Sequence, residues 1–250
     1  DVCSSDLNID TLEYYNWNDL FFKKNVPMQS ADFSVAGGSE KSNFYISGSY
    51  LEQEGIIKKS NYTKTNLRVK ADQKLTNHIK FDQNVSYSNT INEGYEEWMY
   101  TGVYQTPVYN AIIMPPYMKG YQDDGKWTVT PGGVRNAMVM VDNRNYWSKN
   151  AVFEANAGLT IELFKGLTYT PRIAGTMSIL DNQNYTPKYF AKADDYQTFN
   201  LLEKNMQRGF NWMLQNVVTY NTSISEVHNV SVMAGMEASR NWGYNIQGSR

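Results

Sequence analysis

Two histidines, one cysteine and three pairs of adjacent acids are the residues of this sequence best suited to reaction chemistry. His78 and His228 both fall at short polar turns, and no serine or cysteine nucleophile motif accompanies either. Glu96-Glu97, Asp123-Asp124 and Asp194-Asp195 supply carboxylates in pairs, as glycoside hydrolysis requires. Adjacent residues on a loop point apart, however, and solvated acids are common there. Asp123-Asp124-Gly125 offers oxygen donors to calcium, but the acidic ligands that would complete an EF-hand loop do not follow. Asp-Gly is also a turn signal in its own right, and the turn is the favoured reading. Cys3 is the one cysteine, which excludes an internal disulfide and a cysteine metal site. No catalytic group, metal or cofactor is expected.

Binding chemistry is better represented. Trp98, Tyr100, Tyr104, Tyr117, Tyr121 and Trp127 crowd into one stretch rich in turn residues. Flat rings stack on sugar faces or peptide side chains while Tyr and Trp keep a polar handle, and the same rings can pack a long loop against itself or a partner. Trp98, Tyr104 and Trp127 are the candidates for contact with a ligand or a lid. A second set is charged and evenly spaced: Lys64, Arg68, Lys70, Asp72 and Lys74 recur with period two, followed by Asp82 and Glu154 in later segments. Such a row lines a solute path or pairs with charges on something that fills the space.

The elements that must hold these residues read as strands. Ala31–Ala36 alternates apolar and polar residues, Gly37-Gly38 offers the positive-φ geometry of a tight reversal, and Asn43–Tyr50 follows as an aromatic strand. In Thr63–Leu75, Leu67, Val69 and Ala71 oppose Arg68, Lys70 and Asp72; Ile79–Asn89 sets Phe81 and Val85 against Asp82 and Asn84. Asn150–Phe164, Leu167–Leu180, Arg208–Ile224 and Asn229–Ser239 continue the pattern, giving about eight strands. Short connections at Gly37–Lys41, Thr76–His78, Lys165-Gly166 and Ser225–His228 alternate with long ones, including Asn92–Tyr146 and Asp181–Met206. A short helix is expected within 12–22 and another at Glu96–Tyr104. Strands of this length suit a tilted crossing of a membrane. With 250 residues, a net charge of −2 and a mean hydropathy of −0.56, the chain has no basic patch for nucleic acid and no apolar run for a membrane helix. A barrel remains open, since its strands average out to low hydropathy.

The wording Gly37-Gly38-Ser39-Glu40-Lys41-Ser42-Asn43-Phe44-Tyr45, then Ser47-Gly48-Ser49-Tyr50, then Gln53-Glu54-Gly55-Ile56-Ile57-Lys58 resembles the early barrel of SusC/RagA-type, TonB-dependent outer-membrane transporters of Bacteroidetes. Trp17–Phe22, the loop from Pro116 to Trp127 and Tyr220–Gly235 match that family in order, so the resemblance runs from about Asn16 to Ser239. It implies an all-β, antiparallel transmembrane barrel segment, about eight strands of a barrel of about 22, forming an open curved sheet with long extracellular loops. Residues 1–7 are expected to be a non-native or disordered tail, 8–28 an extracellular loop segment, and 29–250 part of the barrel, with plug and C-terminal strands absent. The resemblance further implies import of oligosaccharides or peptides across the outer membrane, TonB engaged through the missing plug region, and a SusD-like lipoprotein as lid. Arg68, Lys70, Asp82 and Glu154 would then face the lumen and the apolar set outer-membrane lipid. A secreted soluble β-sheet protein that binds glycans is the alternative, and a barrel enzyme a third reading.

Overall fold

The computed structural model describes residues 13–94, 106–130, 134–143, 145–224 and 227–250. Eight strands form one antiparallel sheet: β1 (Met28–Gly38), β2 (Ser42–Glu54), β3 (Asn61–Lys74), β4 (Ile79–Gly94), β5 (Asn145–Phe164), β6 (Leu167–Thr186), β9 (Leu201–Ile224) and β10 (His228–Ser249). Each pairs with the next in the order β1-β2-β3-β4-β5-β6-β9-β10, and the sheet is not closed. The short connections therefore share one rim and the long ones the other. A separate two-stranded hairpin, β7 (Tyr189–Lys192) and β8 (Asp195–Gln197), stands on the long-loop side between β6 and β9.

The expected antiparallel barrel segment of about eight strands is thus what the chain forms, with three local differences. The first concerns Gly37 and Gly38, which end β1 without positive φ, opposite Phe44 and Asn43. A Cβ on Gly37 would come 2.8 Å from the Phe44 ring, so the glycine serves a close ring approach rather than a reversal. The turn itself is Ser39-Glu40-Lys41, where the Ser39 hydroxyl oxygen accepts from the backbone N–H groups of Lys41 and Ser42. Lys165-Gly166 does use the left-handed region, with Gly166 at φ 89°.

The second difference is length. β6 runs to Thr186 and β9 starts at Leu201, so the connection read as Asp181–Met206 shrinks to 187–200 and contains the β7–β8 hairpin. The flanking residues Asp181–Tyr185 and Leu201–Asn205 are polar enough to read as loop, yet they continue the ladder in register. Third, the stretch 92–146 is not all loop. It holds α2 (Pro107–Ile113), capped by the Thr106 hydroxyl and opened by Pro107, and α3 (Ala137–Asp142), capped by Asn136. The helix expected at Glu96–Tyr104 lies outside the described residues.

The buried core sits on the long-loop side rather than on either face of the sheet. Trp17 and Phe21 of α1 (Trp17–Phe21) pack with Ala111 of α2 and its C-cap Met114, and with Ala137, Met138 and Val141 of α3. The Trp17 indole donates to Met118 O at 2.9 Å, and Phe22 bridges Ile57 in the β2–β3 connection. Residues 13–27, that connection and the segments 106–130 and 134–143 form one cap on the rim.

Candidate functional site: a two-faced sheet and its cap

Cross-strand register sorts the side chains of the sheet into two faces. One row can be followed through all eight strands: Phe33, Gly48, Leu67, Tyr87, Phe153, Met177, Phe210 and Trp242. The row one residue away reads Ser34, Ser47, Arg68, Ser86, Glu154, Thr176, Asn211 and Asn241. Period two places these rows on opposite faces, one apolar and one polar. Arg240, in the next row of the apolar face, is a charged exception, its guanidinium 5.8 Å from the Trp242 ring.

Nothing among the described residues covers the apolar face. Phe33 is 58% exposed, Leu67 48%, Phe153 41% and Trp242 46%. A soluble monomer rarely leaves a contiguous apolar patch of more than a few hundred Å² uncovered. β5 and β6 have 20 residues each and β9 has 24. Globular strands have about 3–10, and about 9–11 suffice to cross a bilayer when tilted.

The polar face is knitted by hydrogen bonds between strands. Arg68 Nε donates to Asn84 Oδ1 at 2.8 Å, and Ser86 Oγ to Glu154 at 3.1 Å. Within β3, Lys70 lies 3.7 Å from Asp72, and between β9 and β10 Gln215 donates to Glu237 at 2.8 Å. The closest ion pair joins Asp82 of β4 to Arg172 of β6, one guanidinium nitrogen reaching both carboxylate oxygens at 3.0 and 3.2 Å. Gly158 of β5 stands between them in register, and a Cβ there would lie 3.0 Å from Asp82 Oδ1 and 3.1 Å from Arg172 Nε. The bare glycine lets two side chains meet across a strand.

In the cap, Asp142 is the anchor. Its Oδ2 accepts from the Tyr121 hydroxyl at 2.7 Å and from the Trp127 indole at 3.1 Å, while Lys59 Nζ donates to its backbone oxygen at 3.0 Å. Burial first, and the bond to Asp142 second, push the Tyr121 hydroxyl well above the usual phenol range. Trp127 is half-buried, with its ring edge-on to Tyr189 at 6.3 Å between centroids. The hairpin is tied down as well: buried Lys192 donates to Val134 O at 3.0 Å, and Tyr189 donates to buried Asp195 at 2.9 Å.

Members of the two acid pairs among the described residues are engaged singly, while Glu96-Glu97 lies outside those residues. Asp123 pairs with Lys119 at 2.9 Å, Asp124 with Lys126 at 2.7 Å, and Asp194 with Lys192 at 3.2 Å. The Lys126 ammonium holds the Asp124 carboxyl below its ordinary range, and Asp123 holds Lys119 above its own. Gly125 takes φ 82° in the turn closed between Gln122 and Lys126, so Asp123-Asp124-Gly125 forms a turn. His78 lies 3.6 Å from Glu162 at the short-turn rim. Among the described residues no three His, Cys, Asp or Glu side chains gather as metal ligands would.

Known proteins resemble this chain in both sequence and fold. No family model matches it. TonB-dependent receptor P3 of Formosa agariphila is 22% identical over 227 residues, which are 88% of this chain and 22% of that receptor. TonB-dependent receptor P26 of the same organism is 36% identical over 116 residues, 45% of this chain and 10% of the receptor. Among solved structures, the RagAB peptide importer in its open-open state superposes with a TM-score of 0.80 at 19% identity, over 95% of this chain and 26% of that one. The RagAB peptide transporter gives 0.76 over 94% of this chain and 26% of its own. In sequence and fold the chain matches TonB-dependent receptors of the SusC/RagA type. It spans about a fifth or less of the length of the curated relatives and about a quarter of the solved ones.

The expected site residues are distributed as follows. Arg68, Lys70, Asp82 and Glu154 lie on the one polar face. Trp127 lies in the cap, its indole N–H given to Asp142; Trp98 and Tyr104 lie outside the described residues. Sequence reasoning missed Arg172 and Asp142. For Arg172 a signal existed: it shares the parity of Ala174 and Thr176, the small and polar set of β6. Asp142 has none, because its two ring partners lie 15 and 21 residues away across irregular chain.

Proposed function

We propose that this chain forms part of the wall and outer cap of an outer-membrane importer, driven by TonB, for peptides or oligosaccharides. The observation that carries the reading is the pair of adjacent rows across eight strands, one apolar and one polar, with no layer over the apolar side among the described residues. On this reading the apolar face meets lipid and the polar face, with Arg68, Lys70, Asp82, Glu154 and Arg172, lines the lumen. The solved neighbours are peptide transporters by name, which favours peptides over sugars as cargo.

A SusD-like lipoprotein lid would seat on the cap. Apolar side chains are presented there to solvent: Ile112 at 66% exposure, Phe190 at 72% and Phe199 at 58%. Trp98, Tyr104 and Trp127 are the proposed contacts to cargo or lid. The test is uptake of a fluorescent peptide mixture and of an oligosaccharide mixture by cells making the intact protein, with and without TonB. Uptake of one class that vanishes without TonB is the expected result. Equal uptake in both strains would remove the reading.

A further inference from the structure

We propose that the apolar face carries a binding site for a phosphorylated lipid of the outer leaflet, with its phosphates on Lys149 and Arg208 and an acyl chain in a groove beside them. The proposal rests on reading that face as lipid-facing. The groove holds about 540 Å³ and is floored by the small residues Ala155 and Gly175. Phe153, Met177, Phe210 and Trp242 wall it, the last two as rings stacked 5.5 Å apart.

One step toward the long-loop rim on the same face stands Arg208, its guanidinium 5.9 Å from the Tyr244 ring. Lys149 follows, with Nζ 4.6 Å from the Trp147 ring, and Lys204 lies 5.4 Å from that same ring. Asp181, directly opposite Lys149 in register, turns to Lys204 at 3.7 Å, and Glu93 stands opposite Trp147. Lys149 and Arg208 have no carboxylate within ion-pair distance among the described residues. Register separates them by two strands and two residues, roughly 12 Å between backbones. Both side chains are long enough to reach one headgroup between them.

Charge complementarity selects the occupant. A cation on a lipid-facing strand is costly in hydrocarbon and nearly free at the interface, where a phosphate can accept charge-assisted hydrogen bonds from it. The aromatic rings beside each cation are the side chains that favour this depth. A second protein chain laid on this face would instead have to desolvate both cations and supply carboxylates to match them.

The intact outer-membrane protein in nonionic detergent can be titrated with bisphosphorylated lipid A, or with an uncharged diacylglycerol of matched chains, and read by native mass spectrometry. The variant Lys149→Gln/Arg208→Gln should lower lipid A affinity about tenfold or more and leave diacylglycerol binding unchanged. Gly175→Leu should weaken both lipids by filling the groove; a Cβ there meets only Asn211 O at 3.6 Å, so the backbone can accept it. Equal affinity for both lipids, or lipid A binding untouched by the double variant, would overturn the phosphate site while leaving the lipid-facing reading intact. Failure of both lipids to bind would overturn both. A cross-linked protein chain over Phe210 and Trp242 would likewise refute the lipid occupant.

Discussion

Arginine scanning along β5 puts numbers on the two-faced wall. The apolar side of this strand runs Ala151, Phe153, Ala155, Ala157, Leu159, Ile161 and Leu163, with Ala157 at its middle. A strand rises about 3.4 Å per residue and crosses at about 40°, so each residue climbs roughly 2.6 Å along the membrane normal. Ala155 then lies about 5 Å from the middle, and Ala151 about 16 Å away, outside the half-height of a band about 25 Å tall. Ala→Arg removes almost no packing, so the change reads burial of the charge. Ala155→Arg and Ala157→Arg should each cost about 2–4 kcal/mol, and Ala151→Arg about 0–1 kcal/mol. Asn156→Arg, between them in sequence but on the other face, should stay within about 0.5 kcal/mol. Urea unfolding of the intact protein refolded into lipid vesicles measures these differences. Equal penalties at 155, 156 and 157, or a penalty at 151 as large as at 157, would refute the assignment of faces and depth.

Asp142→Ala should release the cap, since two hydrogen bonds from ring residues end on that carboxylate; about 2–3 kcal/mol of local stability is expected. Hydrogen exchange should speed up in 106–143 and stay unchanged in β3–β5, and unaltered exchange in the cap would contradict the anchor role. Tyr121 ionises above the ordinary phenol range in the folded cap, so its contribution persists below about pH 10 and is lost as pH rises through the folded value. The phenolate absorbance of the wild type minus that of Tyr121→Phe should show one tyrosine titrating above the rest; a component in the ordinary range would contradict burial of that hydroxyl.

Much of the wall is legible in the chain because its code is local. Alternation at period two reports which residues share a face, and Leu67, Val69, Phe81, Val85, Phe153 and Leu159 fall on one face as their spacing requires. Where alternation is lost, as at Asp181–Tyr185 and Leu201–Asn205, the strand continues on backbone pairing and on polar cross-strand contacts such as Asn184 with Glu203, and its ends read as loop. The cap was opaque for a different reason. Thr106-Pro107 and Asn136 are ordinary helix-start signals, but helices of 7 and 6 residues are too short to show periodicity amid prolines and glycines. Gly37 misled by type: glycine relieves positive φ and also crowding, and only the Phe44 ring opposite reveals which. Trp127 was visible as an aromatic on a loop, whereas its bond to Asp142 depends on tertiary folding.

The central claim is that one face of the sheet meets lipid and the other water. Single spin labels at 153–160 along β5, in the intact protein reconstituted into vesicles, test it directly. Labels at odd positions should be relaxed by oxygen and shielded from a water-soluble nickel chelate, and labels at even positions should show the reverse. Odd positions shielded from oxygen and nickel alike would mean that a second protein layer covers the apolar face, and the transport-wall account would fail.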